Sequence, residues 1–196
     1  MQITNNIKQI PNYLTFTRVV LIPVLLLTYF ALPDPWDNWV SAYVFITAAI
    51  TDWLDGFLAR KLDTTSRFGA FLDPVADKLM VAFALICLSV NYATVWFVIP
   101  AGIIICREIT ISALREWMAE IGKSSSVAVA YIGMVKTTVQ MLSISLLLWE
   151  KPLFSQDIAF IGLLTLYVAA ALTVWSMLVY FSAARRQIQV RPDNQE

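Results

Sequence analysis

Residues 51–77 decide both the fold and the chemistry of this chain, and they read T-D-W-L-D-G-F-L-A-R-K-L-D-T-T-S-R-F-G-A-F-L-D-P-V-A-D. This stretch lies between and within long apolar runs, yet it carries five aspartates and three basic residues. A charge at the centre of a bilayer costs at least about 2.5 kcal/mol, so ionisable residues at that depth face a bundle interior or a water-filled cavity. The stretch therefore indicates a functional site between membrane-spanning helices.

The spacing of the polar and small residues predicts two facing helix surfaces. At about 100° per residue, one helix gathers two carboxylates, two small residues and a cation on one face: Asp52, Asp55, Gly56, Ala59 and Arg60. The next helix carries a glycine and two carboxylates at one-turn intervals: Gly69, Asp73 and Asp77. Two helices that meet at these faces would bring four carboxylates together.

Four converging carboxylates are a ligand set for a hard divalent cation such as Mg²⁺ or Mn²⁺. Without a cation, their negative charges would repel one another strongly in a low-dielectric pocket. We therefore predict that two metal ions are held by Asp52, Asp55, Asp73 and Asp77. The alternative is that the aspartates cap helix ends or pair with nearby basic residues at the membrane surface. Four carboxylates at turn spacing on two successive segments favour the metal site.

The composition of the chain indicates a polytopic membrane protein. Of its 196 residues, 59% are hydrophobic and only 14% are charged, which is unlike a soluble domain. We predict an all-α fold, a single domain over residues 1–196 built as a bundle of six transmembrane helices. The predicted spans, each near the roughly 20 residues that cross hydrocarbon, are at about 13–32, 39–59, 70–91, 95–117, 126–149 and 157–182. Ile7, Ile10 and Leu14 have helical spacing and predict a short interfacial helix before the first span.

The residue types that are absent narrow the chemistry. The chain has no histidine, which excludes an imidazole base, a histidine metal ligand and a histidine triad. Cys87 and Cys106 are isolated within apolar runs and form no zinc or redox motif. Catalysis must therefore rest on carboxylates and cations.

The distribution of basic residues predicts the orientation in the membrane. The predicted outer connections offer Lys151 alone, whereas the inner segments contain Lys8, Arg60, Lys61, Arg67, Lys123, Arg185, Arg186 and Arg191. By the positive-inside rule, both termini are cytoplasmic. An aromatic belt is expected at the outer boundary: Trp36, Trp39, Trp96 and Trp149. The aspartate site would then open toward the cytoplasm.

A second group of charged residues lies in the fourth and fifth predicted spans. Arg107 and Arg115 lie about two turns apart on one helix, and Lys136 lies well inside the next. We expect them to form a cationic wall that binds an acceptor phosphate, with Lys136 as the best single anion ligand because no carboxylate is near it in sequence. The alternative is an ion-pair network that only holds helices together, made by Arg107, Glu108, Arg115 and Glu116.

The eight spaced residues from Asp52 to Asp77 match every position of the pattern D-x2-D-G-x2-A-R-x8-G-x3-D-x3-D. On this motif the chain resembles the CDP-alcohol phosphotransferases. The resemblance implies that the first three aspartates bind metal and that Asp77 is the general base, which also touches the second metal. It implies that CDP contacts Asp52, Gly56, Ala59, Arg60, Gly69 and, in the entry motif P-N-x-x-T-x-x-R, Thr15. A simpler interpretation of that entry motif is a proline helix start with Arg18 reaching toward headgroups.

Further runs, such as P-N-Y-L-T-F-T-R-V-V-L-I-P and R-E-I-T-I-S-A-L-R-E-W-M-A-E, are similar to the bacterial family members that make phosphatidylglycerophosphate. The similarity implies transfer from CDP-diacylglycerol to sn-glycerol 3-phosphate with release of CMP, in the bacterial inner membrane. A dianionic acceptor agrees with the cationic wall, although inositol phosphate would call for the same cations. We further expect a homodimer and no nucleic-acid partner. The rival classes are a cation-coupled transporter and a membrane scaffold protein.

Overall fold

Six α-helices make up the described part of the protein. The computed structural model describes residues 2–34, 36–62, 67–121, 127–149 and 156–189, with side chains at 16–34, 36–52, 69, 71–121, 135–149 and 158–185. The helices are α1 (Gln2–Ala31), α2 (Trp36–Leu62), α3 (Arg67–Tyr92), α4 (Val95–Glu120), α5 (Val127–Trp149) and α6 (Gln156–Gln189). No strand occurs in these ranges. The all-α prediction is confirmed, and each predicted apolar segment coincides with one helix.

The N-terminal segment does not form the separate interfacial helix that its spacing predicted. Residues 2–31 are one continuous helix, α1. The helical periodicity of the first residues continues into the apolar run, and the backbone stays helical through Pro11. The N-terminal residues are therefore an extension of the first predicted span.

Two helices have the length and apolar character needed to cross a membrane. Within the described residues these are Val95–Glu120 and Ile158–Arg185, and shorter apolar helices occupy Phe16–Ala31 and Val135–Trp149. In the two long segments, 33% and 28% of the apolar window is buried, so most of each window faces outward. Large apolar side chains also face outward elsewhere, as Leu27, Phe71 and Phe160 do. The surface is that of a protein surrounded by hydrocarbon.

The helices pack around one apolar core to which each contributes. α1 packs against α2 and α3, α6 packs against α4 and α5, and contacts of α2 and α3 with α5, and of α3 with α4, join the two groups. One fully buried side chain per helix illustrates the core: Leu25, Phe45, Leu85, Phe97, Ile144 and Leu166. Removing such side chains from solvent and packing them closely gives the bundle a defined helix order. That order brings α1, α2 and α3 together at the aspartates.

The α5–α6 contact depends on a close approach at Gly162. The Ser143 hydroxyl of α5 donates a 2.9 Å hydrogen bond to the Gly162 carbonyl oxygen. A Cβ atom at Gly162 would lie 2.8 Å from Cγ and Cδ2 of Leu147, a side chain that is itself buried. The absence of a side chain here lets the two backbones approach each other, as small residues do in membrane helix pairs.

Candidate active site

Three of the predicted aspartates meet around one arginine. The Arg18 guanidinium of α1 donates to Oδ1 of Asp52 at 3.0 Å and to Oδ1 of Asp73 at 2.7 Å. It also donates to Oδ1 of Asp77. Arg18 is only 1% exposed, whereas each carboxylate keeps about a third of its surface accessible, at 34%, 36% and 32% in the same order. We call Asp52, Asp73 and Asp77 the aspartate cluster.

Helix packing explains why these residues converge. Asp52 lies near the C-terminal end of α2, and Asp73 and Asp77 lie one turn apart near the start of α3. α1 contacts both helices, so an arginine on its inner face reaches all three carboxylates. A buried guanidinium is tolerated only where its charge is matched, and the cluster provides opposite charge and acceptors for both Nη atoms.

The other residues of the predicted donor site are described only in part. The side chains of Asp55, Gly56, Ala59, Arg60 and Thr15 lie outside the described residues, although their backbones belong to α2 and α1. Gly69 is half-buried in the first turn of α3. Their predicted roles in binding CDP and metal stay predictions.

The cluster has the donor chemistry of a divalent metal site, but its oxygens surround a guanidinium. All three ligand groups are carboxylates, which Mg²⁺ and Mn²⁺ prefer. Among the side chains that the structure describes, no three acidic or thiol groups enclose a common point closely enough to hold a metal ion. In the aspartate cluster, an Nη atom of Arg18 lies between Asp52 and Asp77 and bonds to both. The guanidinium therefore occupies the space between these two carboxylates.

The predicted cations Arg107 and Lys136 belong to a buried ion-pair network. Lys136 of α5, 1% exposed, forms an ion pair with Glu108 of α4. An Nη atom of Arg107 lies 3.6 Å from the same carboxylate oxygen of Glu108, and the other donates to Ser176 Oγ of α6 at 2.9 Å. No carboxylate is near Lys136 in sequence, but helix packing brings Glu108 to it from 28 residues away. Arg107, Glu108 and Lys136 therefore form an ion-pair network, and the role of Arg107 and Lys136 in binding an acceptor phosphate stays a prediction.

Arg115 has a different environment from the other two cations. Its Nε donates to the Tyr180 hydroxyl of α6 at 3.0 Å, and its Nη2 donates to the same oxygen. The guanidinium carbon also lies 5.0 Å from the centre of the Tyr180 ring, a distance at which a cation is attracted to an aromatic face. Arg115 is solvent-accessible, whereas Tyr180 is 5% exposed.

A cavity of about 210 Å³ joins the acidic and basic groups. Its charged lining consists of Asp52 and Asp77 from the aspartate cluster together with Lys78, Glu108 and Arg115. Helices α3 and α5 supply the other lining residues, Pro74, Val81, Thr137, Gln140 and Met141. Of the three predicted cations, Arg115 alone appears among the described lining residues, while Arg107 and Lys136 are joined to the cavity through Glu108. The cavity therefore brings two basic side chains and the Asp77 carboxylate to one space.

The places of two of these residues were not predicted from the sequence. The entry motif predicts for Arg18 a ligand role near the nucleotide or a headgroup contact, but not a place among the aspartates, and Lys78, which directly follows Asp77, is not among the predicted site residues. The position of Lys78 next to a motif aspartate could have indicated from the sequence that it lies at the site. No local signal marked Arg18 as the centre of the cluster, because its partners are 34 to 59 residues away.

Comparisons with known proteins agree with the motif. The family model for CDP-alcohol phosphatidyltransferase matches residues 8–175. Three similar relatives share the name CDP-diacylglycerol–glycerol-3-phosphate 3-phosphatidyltransferase. The protein of Salmonella choleraesuis (strain SC-B67) is 54% identical over 90% of this chain and 94% of its own length. Those of Sodalis glossinidius (strain morsitans) and Escherichia coli (strain K12) are 54% and 51% identical, each over 91% of this chain and 96% of its own length.

Proposed function

The chain belongs to the CDP-alcohol phosphatidyltransferase family, and we propose that it transfers the phosphatidyl group of CDP-diacylglycerol to sn-glycerol 3-phosphate. The products are phosphatidylglycerophosphate and CMP. The relatives above, more than half identical over nine-tenths of the chain, have names that give this reaction. Membership of the family decides against the transporter and scaffold hypotheses.

The cavity is the observation that supports this function best. It places the Asp77 carboxylate, two basic side chains and the hydroxyl and amide of Thr137 and Gln140 around one space. A glycerol phosphate needs cations for its phosphate and a base for its hydroxyl, and this lining offers both. Arg115 and Lys78 are the proposed direct contacts of the acceptor phosphate. Arg107 and Lys136 lie behind the cavity-lining Glu108 and contact its carboxylate. We propose that their positive charge also contributes to binding the acceptor phosphate.

The proposed reaction is an in-line displacement at phosphorus. Asp77 takes the proton of the acceptor hydroxyl, whose oxygen forms a bond to the β-phosphorus of the donor. The bond between that phosphorus and the bridging oxygen breaks, and CMP leaves with the oxygen. Asp77 is suited to this role because its side chain is 32% accessible and lines the cavity.

Asp52, Asp73 and Asp77, with Asp55, are the proposed ligands of Mg²⁺ or Mn²⁺. Their all-oxygen donor set fits such a cation, and three of them already converge on one positive group. A bound divalent cation would neutralise charge on the diphosphate. Gly56, Ala59, Arg60, Gly69 and Thr15 are proposed to bind the CDP part of the donor.

The test is CMP release by the purified protein in detergent micelles. We expect release to require both CDP-diacylglycerol and glycerol 3-phosphate, to stop in excess chelator and to return with Mg²⁺ or Mn²⁺. Asp77→Asn keeps the shape of the side chain and removes the base, so turnover should fall by at least about a hundredfold while donor binding persists. Full turnover in excess chelator would contradict the metal assignment, and an active Asp77→Asn variant would contradict the base.

Placement in the bacterial inner membrane, with cytoplasmic termini and a homodimeric assembly, is also proposed. Six helices that follow the six predicted spans support a multi-pass arrangement. The lysine and arginine bias of the connections supports the orientation. The homodimer stays a prediction.

A further inference from the structure

Tyr180 on α6 contacts a cavity-lining cation without reaching the cavity itself. Its hydroxyl oxygen accepts from both Nε and Nη2 of Arg115, at 3.0 Å for Nε, and its ring lies 5.0 Å from the guanidinium carbon. The described residues that line the cavity come from α2, α3, α4 and α5. Any effect of Tyr180 on a molecule in the cavity must therefore pass through Arg115.

The contact fixes the orientation of the Arg115 guanidinium. An arginine side chain has several rotatable bonds and five N–H donors in a planar fork. Tyr180 is itself held in place, because it is 5% exposed and packs with Ile111, Leu114 and Met177. A rigid phenol that accepts from the Nε side of the guanidinium directs the remaining donors away from α6.

A second arginine of α4 bonds to α6 one turn before Tyr180. Ser176, four residues before Tyr180, accepts from Arg107 at 2.9 Å and is itself 1% exposed. Arg107 and Arg115 are eight residues apart on α4, so α6 holds two arginines on one side of that helix. Of these two arginines, only Arg115 lines the cavity, so of Ser176 and Tyr180 only Tyr180 bonds to a cavity-lining residue.

We propose that Tyr180 is a positioning residue for the acceptor, which orients Arg115 to bind the phosphate monoester of the incoming alcohol. The inference rests on the proposed function, since it assigns Arg115 to the acceptor phosphate. Without the phenol oxygen, the guanidinium would sample several orientations, and each contact with the phosphate would cost more side-chain entropy. The donor lipid would bind as before.

Tyr180→Phe is the decisive variant, because it keeps the ring and its packing and removes only the hydroxyl. We expect the acceptor KM to rise about tenfold, equivalent to about 1.4 kcal/mol, with kcat and the donor KM within twofold of the parent. Tyr167→Phe is a matched control. Tyr167 is also on α6, and its hydroxyl donates at 2.6 Å to the carbonyl oxygen of Trp96 on α4, in the first turn of that helix. Its loss removes an α4–α6 hydrogen bond remote from the cavity, so the kinetic constants should not change.

A double-variant cycle separates positioning from general damage to the bundle. Arg115→Ala should raise the acceptor KM, and adding Tyr180→Phe to it should change nothing further, because Tyr180 acts only through Arg115. Additive effects in the double variant would overturn the inference, as would an unchanged acceptor KM in Tyr180→Phe alone. A parent protein that releases no CMP with glycerol 3-phosphate would instead contradict the proposed function, and this inference with it.

Discussion

Arg18 shows how a single residue sets the charge balance of the site. Its guanidinium bonds to three carboxylates and is almost completely buried. With all four groups ionised, the cluster has three negative charges around the one positive charge of Arg18. A divalent cation bound by the same carboxylates would compete with Arg18 for Oδ1 of Asp52 and Asp77. We therefore predict that Arg18 is an internal counter-ion whose charge opposes metal binding.

Replacing Arg18 tests this competition by binding rather than by activity. We predict that Arg18→Met, which keeps an unbranched side chain and removes the charge, binds Mn²⁺ at least about tenfold more tightly, because a nearby unit charge contributes several kcal/mol at an effective dielectric of about 20. The free Mn²⁺ signal in electron paramagnetic resonance measures the affinity. Arg18→Lys, which keeps the charge, is the control and should bind close to the parent. Weaker Mn²⁺ binding in Arg18→Met would mean that Arg18 arranges the carboxylates for the metal instead.

Among the elements, α5 and α6 form a pair whose spacing depends on one glycine. Gly162→Ala would place a methyl group 2.8 Å from two atoms of the buried Leu147 side chain. Overpacking of this kind costs about 1–3 kcal/mol, so we predict a lower midpoint of thermal aggregation in detergent. Gly102→Ala on α4 is the control, because nothing lies within 4 Å of the added carbon. A midpoint for Gly162→Ala equal to that of the control would show that the helices adjust without loss.

The elements also show why part of this structure could be predicted from sequence. The six helices follow from apolar runs, and Asp52, Asp73 and Asp77 converge because their one-turn spacing puts them on helix faces that meet. Partners on different helices were not predictable in this way. Arg115 and Tyr180 meet because α4 packs against α6. Glu108 of α4 and Lys136 of α5 meet because both helices pack against α3 and α6. Periodicity in a single sequence states which face is polar, but not which helix that face contacts.

For the whole molecule, the asymmetry between its two ends predicts how it lies in the membrane. At one end, Trp39 and Trp149 stack with ring centres 5.8 Å apart, so the start of α2 and the end of α5 are neighbours. This agrees with the predicted belt for these two tryptophans. The aspartates lie near the end of α2 and the start of α3, the opposite end of those helices. From the positive-inside rule we predict that the aspartate end lies at the cytoplasmic face.

Cysteine labelling in intact cells tests this orientation. In a background with Cys87 and Cys106 replaced by alanine, we predict that Asp34→Cys and Thr94→Cys react with an impermeant maleimide added outside. Asp34 and Thr94 are exposed residues in turns that connect helices. Ile121, at the C-terminal end of α4, is also exposed. Ile121→Cys should react only after the membrane is permeabilised. If Ile121→Cys alone reacted in intact cells, the predicted orientation would be wrong and the opposite one would hold.

We propose that a phosphatidyl group is transferred to glycerol 3-phosphate in the cavity between the aspartate cluster and Arg115. The most direct measurement is identification of the lipid product by mass spectrometry. Purified protein is given CDP-diacylglycerol, Mg²⁺ and equal amounts of glycerol 3-phosphate and inositol 1-phosphate. We expect phosphatidylglycerophosphate as the main product, formed together with an equal amount of CMP. Phosphatidylinositol phosphate as the main product, or no phospholipid product from either acceptor, would contradict it.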